Sequence, residues 1–163
     1  LINLAPISLE KYQEFCLTHF ERNGKSLDKE VVPYLYERFE GITSYMQRTM
    51  NILFSMTQKG KVCTGDMIDI AINDLLDLSS DTYETLLYQM PEKQRALFIA
   101  IASAGKAKAI NGSEFVRKYH LSSASSVASA AKGLLEKDFI TNDKGVYQVY
   151  DLFFKLWLQK TKL

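Results

Sequence analysis

The chain has 163 residues, of which 47% are hydrophobic and 24% are charged. This is the composition of an ordinary globular protein, and the length allows one large domain or two small ones. The sequence contains no apolar run of about 18 residues and no signal peptide at its start, which predicts a cytoplasmic protein without a membrane partner. Because the first residue is Leu1 rather than Met, we expect the chain to be part of a longer protein.

The small net charge of +1 conceals two halves of opposite sign. Residues 1–90 contain 8 Lys and Arg against 13 Asp and Glu, a net charge of −5. Residues 91–163 contain 12 against 6, a net charge of +6. Such an asymmetry indicates that the halves bind different partners, or each other.

The acidic half is predicted to be a bundle of five helices. Apolar residues recur there at the helical period, and residues that begin or end helices bound each run. Leu1 to Pro6, before the first helix, alternates like the end of a strand. The boundary residues are Ser8, Asn23 with Gly24, Asp28, Gly41, Ser44 with Gln47 as a capping box, Thr64, and residues 79–81. The expected inward residues of the first three helices are Tyr12, Phe15, Cys16, His19, Phe20; Val31, Leu35, Phe39; and Met46, Met50, Leu53.

The basic half has the pattern of a winged helix-turn-helix. A helix follows Pro91, and a shorter one with Phe115 ends near His120. The next helix has an apolar stripe of Val127, Ala131, Leu134 and Leu135. A strand from Phe139, a turn over residues 142–145 and a strand over residues 146–150 complete a β-hairpin. The predicted fold class is therefore mainly α, a helical bundle (1–90) followed by a winged-helix domain (91–163) with a small wing.

A last helix is predicted after Asp151, which is suited to be its N-cap. This helix contains Trp157 and is apolar on nearly every side, so it must be buried. We expect it to pack against the amino-terminal helices or against a missing domain, and to couple the two parts of the chain.

Sequence motifs for catalysis are absent. The chain has no phosphate-binding loop, dinucleotide fingerprint, zinc-protease motif, nucleophile elbow or EF-hand. His19 is expected to be a packing residue, Cys16 and Cys63 to be buried reduced thiols, and the aspartates of the fourth helix to form a solvated face. The sequence therefore predicts that this chain is not an enzyme and holds no metal or cofactor.

The chemistry that the sequence does favour is binding to double-stranded DNA. In a winged helix that reads DNA, the second helix of the pair enters the major groove and the wing contacts the backbone. That helix lacks Arg, Asn and Gln, so contacts to the phosphate backbone are favoured over base reading; packing against another protein domain is the alternative. The candidate contact residues are Ser123, Ser125, Ser126, Ser129, Lys132, Arg117, Lys118 and Lys144, with Lys106 and Lys108 as basic support.

The order of these segments resembles the carboxy-terminal part of archaeal- and Bacteroides-type P-loop ATPases of the AAA+/STAND superfamily. In that superfamily a nucleotide-binding core is followed by a helical lid and a winged helix. The resemblance covers essentially the whole chain, and includes a lid-type turn at Gly41 and an entry into the winged helix at Gln94-Arg95. The matching stretches are residues 2–7, 12–25, 39–47, 91–97, 119–127 and 147–158.

This resemblance implies a non-catalytic lid and winged helix of a nucleotide-switched ATPase. The absent amino-terminal core would bind ATP and Mg²⁺, and the lid turn with Gly41, Thr43, Ser44, Tyr45 and Arg48 would close over the nucleotide. The winged helix would bind DNA or restrain the core, and the protein could form homo-oligomers. A free-standing transcriptional regulator of the winged-helix class is the alternative.

Overall fold

The computed structural model describes residues 7–163 and divides the chain into two compact units, with the division after Asp77. The strand expected at Leu1 to Pro6 lies outside the described residues. The helices are α1 (Leu9–Arg22), α2 (Val31–Arg38), α3 (Thr43–Met56), α4 (Ile68–Gln89), α5 (Glu92–Ala104), α6 (Ser113–Lys118), α7 (Ala124–Glu136) and α8 (Leu152–Thr161). The strands are β1 (Ser26–Leu27), β2 (Val62–Cys63), β3 (Ile140–Asp143) and β4 (Val146–Val149).

The first helices of the amino-terminal unit form as the apolar periodicity predicts. The Ser8 side chain caps α1 by accepting the N–H of Lys11 at 3.3 Å. The inward residues of all three helices are buried with two exceptions. Phe15 is 57% exposed, and its ring stacks on His19 with ring centroids 6.2 Å apart. The assignment of Phe15 to the core was therefore wrong, and His19 is exposed as well.

A short parallel strand pair in this unit was not predicted. Ser26 pairs with Val62 and Leu27 with Cys63, and Asp28 donates its N–H to the Cys63 carbonyl at 3.0 Å. Residues 58–64 are therefore not simply a loop. Two residues are too few to show the alternation by which a strand is recognised in sequence.

Two predicted helix boundaries in this half were also wrong. The helix α3 begins after Ile42 and has no side-chain cap, so Ser44 lies inside the helix and does not form the predicted capping box with Gln47. The Gln47 amide donates to Asn51 Oδ1 at 2.9 Å. Residues 79–81 do not interrupt α4, since Ser80 lies inside the helix and accepts the indole N–H of Trp157 at 3.0 Å. The fourth and fifth predicted helices are thus one.

The carboxy-terminal unit contains the predicted winged helix. Strands β3 and β4 pair antiparallel from Ile140–Val149 to Asp143–Val146, and the positive φ angles of Lys144 (50°) and Gly145 (85°) form a two-residue turn of the kind that suits the twist of a hairpin. The turn is two residues shorter than predicted, because the ladder continues to Asp143. Ala107 adds a bridge to Tyr147 through two hydrogen bonds of 2.8 Å.

The helices α5 and α7 pack closely in this unit. The side chains of Val127, Ala131 and Leu134 are buried as predicted, while Leu135 is half-buried. Gly133 permits the approach, since a Cβ there would lie 2.3 Å from Gln94 Nε2. Gln94 Oε1 in turn accepts a hydrogen bond from Lys137 at 3.2 Å.

Arg95 caps the carboxy-terminal end of α4. Its guanidinium donates to the carbonyls of Leu87, Tyr88 and Met90 at 3.0, 3.2 and 3.0 Å. Since the last carbonyls of a helix have no partner within it, Arg95 supplies them with one. The Gln94-Arg95 pair is therefore explained by packing and capping.

The last helix, α8, is buried within the carboxy-terminal unit. Asp151 caps it by accepting the N–H of Phe153 at 3.0 Å, as predicted. The ring of Phe154 contacts Tyr83 at 4.5 Å and Phe98 at 5.0 Å between centroids. Tyr83 belongs to the segment that the sequence assigned to the amino-terminal domain, but the structure places it in the same unit as α8. These contacts therefore lie within the carboxy-terminal unit, and the expected coupling of the two parts of the chain stays a prediction. The division after Asp77 accordingly precedes the predicted boundary between residues 90 and 91.

Candidate nucleic-acid interface

The outward side of α7 is a narrow stripe that we call the outer face, formed by Ser125, Ser129, Lys132 and Glu136. These four residues are exposed and spaced at i, i+4, i+7 and i+11, which places them above one another. The opposite side of the helix is buried at Val127, Ala130, Ala131 and Leu134. The apolar stripe of the sequence therefore fixes which hydroxyls are presented to solvent.

The serines at the start of α7 have different tasks. Ser123 Oγ caps the helix by accepting the N–H of Ser126 at 3.2 Å, and it lies 3.2 Å from Ser125 Oγ. Ser126 is half-buried and lines a cleft of about 430 Å³ that Lys93 and Gln94 of α5 also line. Lys93 was not among the predicted contacts, because its place beside α7 depends on helix packing. The Ser123 hydroxyl, a predicted DNA contact, thus already has a structural partner in the Ser126 N–H.

The wing contributes to the other side of α7. Lys132 lines a groove of about 300 Å³ together with Asn111 and Tyr147 of β4. Lys144 is exposed at the hairpin turn, where a winged helix contacts the DNA backbone. Asn111 was missed, since nothing in its local sequence distinguishes it from other loop residues.

The two basic residues of α6, Arg117 and Lys118, are exposed. Lys118 lines a separate cavity with Lys106 and Lys108. Lys132 lines a different cavity, the groove beside the wing. The predicted basic contacts thus form at least two groups.

The charge of this unit is positive but the outer face itself is nearly neutral. Residues 78–163 contain 12 Lys and Arg against 8 Asp and Glu, a net charge of +4. The outer face has one cation, Lys132, beside one anion, Glu136. It has no Arg, Asn or Gln, the side chains that form paired hydrogen bonds with bases. Its hydroxyls and single ammonium suit phosphate and sugar contacts.

The predicted lid turn lies in the amino-terminal unit, where it connects α2 and α3. Gly41 ends α2 with a φ of 71°, and its N–H donates to the Tyr36 carbonyl at 2.9 Å. Tyr45 packs on Phe39 with ring centroids 5.9 Å apart. Thr43, Ser44 and Arg48 are exposed. Gly41 thus has a structural role in ending α2, and Tyr45 has one in packing against Phe39.

Among residues 7–163 there is no group of three or more His, Cys, Asp and Glu side chains that could hold a metal ion. His19 packs against Phe54 at 4.7 Å between ring centroids. Cys16 and Cys63 are both buried and reduced, and burial raises the pKa of the Cys16 thiol to about 11. In the same part of the chain, no helix is both long and apolar enough to cross a membrane.

Comparison with known proteins supports the winged helix. Residues 81–160 match the model of a family described as a probable winged helix domain. This match begins in the last part of α4, includes every element from α5 to β4 and extends through nearly all of α8. No curated protein and no solved structure matches the chain. The carboxy-terminal unit is therefore assigned to the winged-helix class, and the comparisons lend no support to an ATPase context.

Proposed function

We propose that this chain is a non-catalytic module whose winged helix binds double-stranded DNA mainly through its phosphate backbone. In this proposal the outer face of α7 lies in the major groove, and Lys144 on the wing reaches an adjacent phosphate. Lys93 and Asn111 flank the helix on its two sides and contact the backbone there. The observation that carries the proposal is the exposed stripe of Ser125, Ser129 and Lys132 on the second helix of a winged helix-turn-helix.

The composition of the outer face limits sequence specificity. Small side chains allow the helix backbone to approach the groove closely. A serine hydroxyl, however, can donate to or accept from the edges of several different bases, so it distinguishes poorly between them. Glu136 also opposes tight contact with phosphates. We therefore expect weak affinity with strong dependence on salt and little preference among sequences.

A fluorescence anisotropy titration with a random duplex of about 20 base pairs tests the proposal. With Lys93, Lys132 and Lys144 on phosphates, the affinity should fall about 40-fold between about 50 and 200 mM salt. Lys132→Ala and Lys144→Ala should each reduce the slope of log K against log salt by about 1. Lys160→Ala, an exposed lysine on α8, is the control and should bind like the original chain. Absence of binding at the lower salt concentration would overturn the proposal.

A second candidate is the lid and winged helix of a nucleotide-switched ATPase. It is favoured by the order of segments in the sequence and by the lid turn, which leaves Thr43, Ser44 and Arg48 exposed at the start of α3. In this case ATP in an amino-terminal core would move the lid and so reposition the winged helix. ATP hydrolysis by the natural polypeptide, slowed by Arg48→Ala and unchanged by Arg22→Ala, would support this role. Absence of ATP binding by that polypeptide would rule it out.

A further inference from the structure

The winged-helix unit contains a further cavity that the proposed duplex contact does not use. It has a volume of about 550 Å³ and lies beside α6 and the extended segment around Ala107. Its chemistry comes from three lysines, one acid and two aromatic rings: Lys106, Lys108, Lys118, Glu114, Phe115 and Tyr119. We call it the lysine–aromatic cavity.

The backbone places the lysines at this cavity from two directions. Ala107 is buried and held by its two hydrogen bonds to Tyr147, so Lys106 and Lys108 flank a fixed residue. All three residues line the cavity, and the side chains of Lys106 and Lys108 are exposed. Lys118 approaches from α6. With Glu114 the walls carry a net charge of +2, and within residues 7–163 neither Lys108 nor Lys118 has an ion-pair partner.

The aromatic part of the wall is formed by one turn of α6. Phe115 and Tyr119 are four residues apart, and their rings lie 4.6 Å apart between centroids with an angle of 52°. Both side chains are half-buried, so part of each ring faces the cavity. Lys118 Nζ lies 5.4 Å from the centre of the Tyr119 ring. Such rings stack on planar heterocycles, and lysines beside them bind phosphate.

The geometry points to a site for a nucleoside phosphate in the lysine–aromatic cavity. The base packs on Phe115 and Tyr119, and the phosphate is bound by Lys106, Lys108 and Lys118. The ligand is either a free nucleotide or one residue of a single-stranded nucleic acid, since both present the same base and phosphate. This inference goes beyond the duplex contact proposed for α7 and does not depend on it.

Isothermal titration calorimetry of the whole chain with AMP, adenosine, inorganic phosphate and a six-residue single-stranded oligonucleotide tests this site. AMP should bind about tenfold more tightly than adenosine, because the phosphate adds charge-assisted contacts. Lys108→Ala should weaken AMP binding about tenfold, and Lys108→Arg should restore most of it. Tyr119→Leu should weaken it about fivefold through lost stacking. Lys132→Ala, on α7, should leave it unchanged.

The oligonucleotide distinguishes the two sources of the ligand. An affinity equal to that of AMP identifies a free nucleotide, and a higher affinity that also falls in Lys108→Ala identifies a single strand. Circular dichroism confirms that each variant folds. If no nucleotide or strand binds, or if binding is indifferent to both Lys108 and Tyr119, the inference is wrong. Weaker duplex binding in Lys132→Ala with AMP binding retained would show that the two sites are independent.

Discussion

The two units of this chain are both helical, but their sequences specify structure in different ways. The carboxy-terminal unit carries local signals, including the Ser123 and Asp151 caps and the Lys144-Gly145 turn. The amino-terminal unit relies more on contacts distant in sequence, such as the pairing of Ser26 with Val62. Their charges also differ, with net values of −3 for residues 1–77, from 8 basic and 11 acidic residues, and +4 for residues 78–163. The difference separates a unit with a recognisable fold and a candidate interface from a unit that depends on contacts between distant segments.

The largest expected loss of stability comes from removing a buried aromatic side chain in either unit. Trp157→Ala should destabilise the carboxy-terminal unit by about 3–5 kcal/mol, because it removes a buried indole and leaves Ser80 without its donor. Phe39→Ala should have an effect of similar size in the amino-terminal unit. Urea denaturation followed by circular dichroism measures both. Leu78→Ala, at a side chain 78% exposed, is the control and should change stability by less than about 0.5 kcal/mol. A Trp157→Ala effect as small as that of the control would contradict the buried position of α8.

The next largest loss of stability is expected from replacing a glycine with a positive φ in either unit. Gly145 in the wing and Gly60 in the amino-terminal unit have φ values of 85° and 78°. A Cβ at either position would have no neighbouring atom within 4 Å. Alanine at either position should therefore destabilise only through backbone strain, by about 1–2 kcal/mol. Gly65→Ala, also uncrowded but without a positive φ, should be close to neutral. Thermal denaturation that shows all three variants alike would contradict these turn conformations.

Helix caps provide a smaller contrast. Asp151→Ala should lower stability by about 1 kcal/mol, because the N–H groups of Phe153 and Phe154 lose their acceptor. Ser44→Ala should have little effect, since α3 has no side-chain cap. Urea unfolding of the two variants checks this pair. A loss of stability in Ser44→Ala equal to that in Asp151→Ala would show that Ser44 does cap α3, as the sequence predicted.

The smallest effect concerns the thiols of the amino-terminal unit. Burial keeps Cys16 protonated up to a pKa of about 11, compared with 9.0 for an ordinary thiol. A raised acid pKa means that the contribution of Cys16 to stability is complete below pH 9 and declines as the pH rises from 9 to about 11. Reaction of the native chain with a thiol reagent at pH 8 should be slow at both Cys16 and Cys63, and rapid in urea. Rapid reaction without urea would show that these side chains are accessible.

The sequence predicted the winged helix well because its determinants are close together along the chain. Apolar spacing at Val127, Ala131 and Leu134 indicated the inner side of α7, and Asn142 to Gly145 indicated the hairpin. It failed at Ser80, where a residue typical of breaks is kept in a helix by a hydrogen bond from Trp157. Tertiary contacts of this kind leave no local pattern.

The candidate interface was predicted in part for the same reason. The exposure of Ser125, Ser129 and Lys132 follows from the helical period. The place of Lys93 and Asn111 beside α7 depends on how helices and strands pack, and so does the placement of Lys118 and Lys132 in different cavities. The structure therefore rearranges the predicted basic residues into two groups with different neighbours.

The most direct test of the central claim is a map of amide chemical shifts on adding a 12-base-pair duplex to the ¹⁵N-labelled chain. The account predicts the largest changes at Ser125, Ser129, Lys132 and Lys144, reduced by raising the salt concentration. The acidic helix face with Asp69 and Asp74 should show none. Changes confined to α6, to the amino-terminal unit or to no residue at all would contradict a duplex contact through α7 and the wing.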